Sequence, residues 1–365
     1  MYIKVRDWVL KLAPDSTPGE IAIEVSTRCN LSCLHCFRFA SRTIRHMDMD
    51  LETYIKMIDN AVDSGVKRIV FTGWGEPTIN PYILEMLEYA KRKNLYVILN
   101  TNGILLNELS KDIVKLGVDE VYVSIDTVDI ETYQKIRRYG ELSKVSSGLT
   151  ALNELKKMND SGKPIVNSIF TINKLNIDRI DSIIKYSVDF GIQNIYLSFY
   201  IPYQGRLEDI NCVNDHYCIN KLKEKMEKIS IELISKPIKL WLPNIDSYSS
   251  RECPFVLNKA LFTRVDGKVS SCLFLAYSWV LIIDQTPREV REYIIGDALL
   301  ETFSEIWRKN YEMLFKLSFT YMPSCLDCSL RRYCSYTLKS DTDCWGNSPN
   351  CSFCPYHYRF SYCPL

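Results

Sequence analysis

Residues 21–36 read IAIEVSTRCNLSCLHC: an apolar, partly β-branched run that passes directly into a loop carrying Cys29, Cys33 and Cys36. The run, 21–26, is nearly continuous in apolar character, as expected of a parallel strand covered by helices. The unit it opens recurs through residue 200. Further strands are predicted at 68–73 (RIVFTG), 95–100 (LYVILN), 120–125 (EVYVSI), 165–172 (IVNSIFTI) and 194–199 (NIYLSF). Helical patterns lie between them. Leu51, Tyr54, Ile55, Ile58 and Val62 share one helix face, as do Ile177, Ile180, Ile184 and Val188. Gly65, Gly117 and Gly191 follow three of these helices, where a C-cap calls for a left-handed backbone. Six such strands with intervening helices predict an α/β domain, either a parallel barrel or an open sheet.

After Tyr200 the pattern changes. Residues 201–250 hold a Pro-Tyr loop, a charged helix around 217–235 and a short strand near 238–242. From 251 to 365 the chain is cysteine-rich: FTRVDGKVSSCLF (262–274) predicts a hairpin turning at Asp266-Gly267, followed by a helix near 300–316. The tail from Pro323 has little periodicity and no evident apolar face, so metal is expected to hold it together. The expected division is therefore 1–200, 201–250 and 251–365.

Composition excludes several classes. The 365 residues are 47% hydrophobic and 24% charged, which is ordinary for a globular protein. The net charge of +1 offers no bulk attraction to nucleic acid. Apolar runs fall far short of the ~18 residues of a membrane span. MYIKVRDWVL lacks the apolar core and cleavage site of a signal peptide, so a cytoplasmic location is expected.

The 14 cysteines are the unusual feature. A disulfide framework belongs to small secreted domains, whereas a cytosolic chain this rich in thiols more often binds metal. Three lie within 29–36, Cys212 and Cys218 stand apart and read as ordinary core cysteines, and nine follow residue 250. For the first three, zinc would want four protein ligands, and His35 as the fourth sits between two of the cysteines. Three thiolates on one loop suit a 4Fe–4S cluster better, with one iron left open.

This CxxxCxxC loop after a first strand resembles the signature of radical S-adenosylmethionine (SAM) enzymes. The resemblance implies a partial (β/α)6 barrel in which Cys29, Cys33 and Cys36 hold a catalytic 4Fe–4S cluster whose open iron binds SAM. Electron transfer to the sulfonium then yields a 5′-deoxyadenosyl radical that abstracts hydrogen from substrate. GWGEP, with Gly73, Gly75, Glu76 and Pro77, resembles the family's GGEP segment; its glycines let a ligand approach closely, and Glu76 is expected to accept a hydrogen bond from the SAM ammonium. NTNG with Asn102, SIDT with Ser124 and Asp126, and Thr171 with Asn173 end the third, fourth and fifth strands. Each could equally be a turn residue or cap, but all sit where α/β barrels build active sites. Arg38, Arg42, Arg45 and His46 form a basic run that reads first as a solvated face and second as a contact for an anionic substrate.

The tail resembles a SPASM domain, which implies auxiliary 4Fe–4S clusters. Cys253, Gly267-x4-Cys272 and Cys325-x2-Cys328-x5-Cys334 match its opening. Position 338, where that pattern has its next cysteine, is leucine, and the following thiols are Cys344, Cys351, Cys354 and Cys363. Nine thiols would serve two four-ligand clusters with one left over. Cys325, Cys328 and Cys334 are expected together, and Cys253, Cys272 and Cys344 in the other set. The paired CxxC units leave one or two zinc sites open as an alternative.

LSFYIPYQ (197–204), CPFVLNKALFTRVDGKVSSC (253–272), IIGDALLETFSEIW (294–307) and DCWGNSPNCSFCPYHYRFSYCP (343–364) are similar to one SPASM subfamily, the maturases associated with tungsten-dependent aldehyde oxidoreductases. PYHYRF departs from the more aliphatic stretch expected there. The resemblance implies action on a tungstopterin cofactor or its host enzyme, with a ferredoxin-type electron donor. Two other readings stand beside it. One is a radical SAM enzyme modifying a peptide or protein; the sulfatase-maturing type has an aspartate base after the second SPASM cysteine, where Leu273 stands here. The other is a non-catalytic zinc or iron–sulfur interaction module.

Overall fold

In a computed structural model, residues 2–5, 7–11, 17–41, 43–203, 205–234, 236–245, 252–283, 286–318, 321–363 and 365 are described. Arg42 and the expected boundary at 250 lie outside them. Strands β1 (Tyr2–Val5) and β2 (Trp8–Lys11) form an antiparallel hairpin ahead of the main body, which the sequence pattern did not announce.

The six expected strands are present as β3 (Glu20–Ile23), β4 (Arg68–Phe71), β5 (Tyr96–Thr101), β6 (Glu120–Ser124), β7 (Ile165–Ile172) and β8 (Asn194–Phe199). Each pairs parallel with the next, through partners such as Ile21 with Ile69, Val70 with Ile98 and Ser168 with Ile195. Their apolar runs are buried on both faces because helices return over the sheet between strands. Helix α1 (Leu51–Asp63) buries Tyr54, Met57, Ile58 and Ala61, and Asp50 caps it by accepting from the Thr53 amide at 2.8 Å. Helices α2 (Ile83–Arg92), α3 (Leu106–Leu116), α4 (Ile130–Ile136), α5 (Leu142–Met158) and α6 (Ser182–Asp189) follow. Gly65, Gly117 and Gly191 adopt φ of 92°, 67° and 63°. Val188, placed on a buried face from the sequence, is exposed; Ile183 takes the buried position instead.

The sheet does not end at residue 200. After α7 (His216–Leu233), β9 (Lys239–Trp241) adds in parallel beyond β8. On the opposite edge, β10 (Ala260–Thr263) lies parallel to β3, and the predicted hairpin leads to antiparallel β11 (Lys268–Ser270). A second hairpin, β12 (Trp279–Ile283) and β13 (Thr286–Val290), stands apart, and β14 (Ile294–Asp297) pairs with β11. The result is an open, mostly parallel ten-stranded sheet that the cysteine-rich region completes on one edge. No described helix is long and apolar enough to cross a membrane.

Two sequence expectations are corrected. Cys212 and Cys218 are fully buried, as core cysteines should be, but they are joined in a disulfide that ties the loop ahead of α7 to the helix's first turn. The tail is not without an apolar interior. Phe353, Tyr358 and Phe360 are buried, and the Tyr358 hydroxyl accepts from the Leu326 amide and donates to the Ser352 carbonyl, both at 2.9 Å. Aromatic packing, which carries no helical or strand period, thus supplies part of the order that metal alone was expected to supply.

Candidate functional site

At the carboxyl ends of the strands lies a cavity of about 260 Å³. Cys29, Cys33 and Cys36 line it, together with Gly73, Gly75, Glu76, Pro77, Asn102 and Ser124. Four different strand-to-loop junctions thus converge on one space. The cysteine loop is held from three sides. Ser32 and Leu34 donate backbone hydrogen bonds to the carbonyls of Arg138 and Ile136, at 3.1 and 2.7 Å. Tyr203 donates its hydroxyl to the Leu34 carbonyl, and the Glu76 amide donates to the Arg28 carbonyl at 2.8 Å.

Glu76 ties two motifs together. Its buried carboxylate accepts through Oε1 from the Thr101 hydroxyl at 2.7 Å and the Thr78 hydroxyl at 2.6 Å, and through Oε2 from the Asn102 amide at 2.7 Å. Burial pushes its pKa upward against these hydrogen bonds. The glycines, which line the cavity, also have a packing role. The room a Cβ would need at Gly75 is taken by protein backbone, 2.2 Å from the Ser26 carbonyl oxygen and 2.5 Å from that of Arg28. At Gly73 it is taken by Glu24, 2.7 Å away. Glycine is required here so that the GWGEP turn can press against the start of the cysteine loop. Trp74 is buried, its ring edge-on to Phe37 at 4.5 Å and to Tyr277 at 5.3 Å, so it anchors the turn to the C-terminal region.

Two expected ligand contacts are placed elsewhere. Asn173 does not line the cavity; its Oδ1 accepts from the Leu175 amide at 2.9 Å, closing a turn after β7. Asp126 is buried beneath the cavity wall, with Oδ2 2.7 Å from Arg137 Nε and 3.5 Å from His35 Nε2. Burial raises the Asp126 pKa, but Arg137, His35 and the Thr171 amide outweigh it and leave the group below its ordinary value. Arg137 itself lines the cavity beside Cys33. No motif in YQKIRRYG distinguishes it from an exposed helix-end arginine, so only its burial reveals it. His35 also lines the cavity; burial lowers its pKa, and its Nδ1 has no hydrogen-bond partner among the described residues.

The donor set fits an iron–sulfur cluster. Burial raises the pKa of all three thiols, that of Cys33 to about 12, so thiolates there call for a cationic centre. His35 pairs with Asp126 rather than completing a four-ligand zinc shell. Among the described residues, no three Cys, His, Asp or Glu side chains converge as they would on a single ion.

The far wall of the cavity comes from the tail: Leu273, Tyr356, Ser361 and Tyr362. This segment is latched onto β8, with the Phe199 amide donating to the Phe360 carbonyl and the Ser361 hydroxyl to the Phe199 carbonyl, both at 2.7 Å. The unexpected PYHYRF stretch therefore helps to build the site.

The tail thiols fall into two sets. Cys253, Cys272, Cys351, Cys354 and Cys363 wall a small second cavity that shares Tyr356 with the first. Cys325, Cys328, Cys334 and Cys344 form the other. The Cys325 pKa is pushed to about 12 by burial first and then by its neighbours Cys344, Cys334 and Cys328. Cys344 thus sits with the CxxC pair and not with Cys253 and Cys272 as expected. The cause is Asp343, a buried carboxylate that accepts from the Trp345 and Asn347 amides at 2.8 and 2.9 Å and folds the WGNSP loop back on itself.

A family model of the Radical SAM superfamily matches residues 23–187, and one of the SPASM iron-sulfur cluster-binding domain matches 253–329. The five cysteines from 334 onward lie beyond that second match. The chain is 28% identical, over 94% of its length and 96% of the relative's, to the tungsten-containing aldehyde ferredoxin oxidoreductase cofactor-modifying protein of Pyrococcus furiosus. Among solved structures it is similar to anSMEcpe with bound AdoMet and Cp18Cys peptide, with a TM-score of 0.64 and 18% identity over 94% of this chain and 96% of that one. It is also similar to Streptococcus suis SuiB bound to S-adenosylmethionine, with a TM-score of 0.62 and 17% identity over 87% and 72%.

Proposed function

Taking as premise that the chain is a radical SAM protein with a SPASM iron–sulfur domain, we propose that it reductively cleaves SAM to abstract hydrogen during maturation of a tungsten-containing oxidoreductase or its pterin cofactor. The observation that carries the radical chemistry is the convergence of Cys29, Cys33 and Cys36 with Glu76, Asn102 and Ser124 on one cavity. When bound, a 4Fe–4S cluster and SAM supply a 5′-deoxyadenosyl radical for hydrogen-atom abstraction.

The chain's own residues place that chemistry. The three thiols hold the cluster. Glu76 presents Oε2, already fixed by the Asn102 amide, to the SAM ammonium. Arg137, held by Asp126, offers positive charge to the SAM carboxylate, with Ser124 as a further hydrogen-bonding group. Tyr356 and Tyr362 close the far side against water, which protects a reactive intermediate.

The tungsten assignment is supported by the near full-length similarity to the Pyrococcus furiosus protein. The sulfatase type of peptide modification is disfavoured because Leu273, which lines the cavity at the position of its base, carries no acid–base group. Anaerobic reconstitution with a SAM cleavage assay tests the proposal. Wild-type protein should hold about twelve irons and form 5′-deoxyadenosine under dithionite, and Cys33→Ala should retain the auxiliary iron and form none. Unchanged cleavage in Cys33→Ala would remove the site assignment. Hydrogen transfer to deoxyadenosine on adding an apo tungsten oxidoreductase or its pterin, and not on adding peptides, would support the substrate.

A further inference from the structure

Beneath the catalytic cavity lies a layer of tyrosines. Side chains two apart on a strand share a face. Ser124 of β6 and Ser198 of β8 line the cavity, so Tyr122 and Tyr196 lie one step below it on the same faces. Tyr362, which also lines the cavity, enters from the tail, and its amide donates to Ser198 Oγ at 2.7 Å. Its ring centroid is 4.2 Å from that of Tyr196 and 6.0 Å from that of Tyr122. Trp241 on β9 is the cross-strand partner of Tyr196, and the two rings stack with centroids 5.8 Å apart. Trp241 is 54% exposed. Tyr362, Tyr196 and Trp241 thus form an unbroken line of rings from the cavity to solvent.

A second aromatic cluster also touches the cavity. Phe37 leads through Trp74 and Trp279 to Phe274, and the last three are buried. That cluster begins and ends in phenylalanine and stays inside the protein. The line to Trp241 holds only tyrosine and tryptophan, which give up an electron far more readily than phenylalanine. Packing alone does not call for hydroxyls there, since phenylalanine would fill the space without their desolvation cost. Burial raises the pKa of Tyr122, Tyr196 and Tyr362, and their hydroxyls are close enough to influence one another. Each therefore stands protonated, with a hydrogen to pass on.

We propose that Tyr362, Tyr196 and Trp241 form an escape route that carries the oxidising equivalent of an unproductive SAM cleavage from the cavity to the surface. The proposal rests on the radical SAM reading above. When no substrate hydrogen is within reach, Tyr362 gives its phenolic hydrogen to the carbon radical. Its O–H bond breaks and a C–H bond forms, leaving 5′-deoxyadenosine and a phenoxyl radical. Tyr196 restores Tyr362 by passing it a hydrogen atom. Trp241 supplies one electron to Tyr196 and loses its indole proton to solvent as Tyr196 regains a proton. A low-molecular-weight thiol in solution returns a hydrogen atom to Trp241, and the thiyl radicals so formed combine in pairs as disulfide.

For the test, full-length reconstituted protein is reduced, freed of excess reductant and mixed with SAM in the absence of substrate. A nitrone spin trap is present. Its adducts are located by peptide mass spectrometry, and 5′-deoxyadenosine is measured in the same sample. Wild-type protein should carry the adduct on Trp241. Tyr196→Phe, which keeps the ring packing, should lose that adduct yet form as much 5′-deoxyadenosine. Trp241→Tyr should retain an adduct at position 241 and Trp241→Phe should not. Formation of 5′-deoxyadenosine without an adduct on Trp241, or an undiminished adduct in Tyr196→Phe, would overturn the proposal.

A second measurement does without SAM. Lys239 is exposed on the same face of β9 as Trp241, so a ruthenium photo-oxidant coordinated in the Lys239→His variant oxidises the line from its outer end. A flash should give tyrosyl absorbance above that of equally treated protein with Lys239 in place, and adding Trp241→Phe or Tyr196→Phe should abolish it. No such signal, or one that survives both substitutions, would overturn the proposal. A normal flash response in protein that forms no 5′-deoxyadenosine would instead count against the radical SAM reading.

Discussion

Gly75→Ala should disable the site while leaving a folded protein. An added Cβ would lie 2.2 Å from the Ser26 carbonyl oxygen and 2.5 Å from that of Arg28. Both are backbone atoms, so no side chain can swing away. Restoring ordinary contact requires the GWGEP turn and residues 26–28 to separate by about 1 Å. Overpacking of this kind costs about 1–3 kcal/mol. The segment displaced runs directly into Cys29, and the Glu76 amide bond to the Arg28 carbonyl would stretch with it. A misplacement of about 1 Å at a reacting centre lowers rate about 100-fold. Gly117→Ala is the matched control. Its φ of 67° makes alanine cost about 1–2 kcal/mol, but nothing lies within 4 Å of the new Cβ and the position is remote from the cavity. Both variants should lose comparable thermal stability; only Gly75→Ala should lose 5′-deoxyadenosine formation, assayed under dithionite at equal iron content. A Gly75→Ala rate within about twofold of the Gly117→Ala rate would refute the packing argument.

Asp126→Asn should destabilise the fold by about 3–5 kcal/mol in urea unfolding, because it leaves the buried Arg137 charge unpaired. Adding Arg137→Met should recover stability without restoring SAM affinity; full stability in Asp126→Asn alone would contradict the pairing. Glu24 and Glu20 have pKa values raised by burial to about 7. Their folded forms bind protons more tightly than the unfolded chain, so stability should fall as pH rises from about 4.5 to about 7 and level off above. Glu24→Gln should remove about 3 kcal/mol of that change, and an unaltered pH profile would show that Glu24 does not titrate there. Cys325→Ala and Cys344→Ala should each lose about four irons, and the double variant no more than either. Additive loss on iron analysis would place Cys344 in the other set.

The six parallel strands β3 to β8 were legible because burial on both faces forces near-continuous apolar runs, and the observed bounds of β7 and β8 coincide with the runs at 165–172 and 194–199. The three thiols that line the cavity were legible as a group because all of them belong to one loop. Arg137 was not, since a buried and an exposed arginine look alike until their partners are placed. Cys344 was misassigned for a related reason: its set depends on a loop folded by Asp343, and spacing alone counts residues without bending them. The packing role of Gly73 and Gly75 was not legible, because the atoms they make room for come from a segment some fifty residues away.

The sequence by itself determined the α/β repeat, the CxxxCxxC loop at the end of its first strand and the thiol-rich tail. All of these are local patterns of period, spacing and residue type. Tertiary structure decided that β10 joins the sheet beside β3, that Tyr356 and Tyr362 close the cavity and that the tail thiols divide into an inner and an outer set. Each of those depends on bringing together segments separated by one hundred residues or more, or on folding an aperiodic tail, and no local preference encodes either.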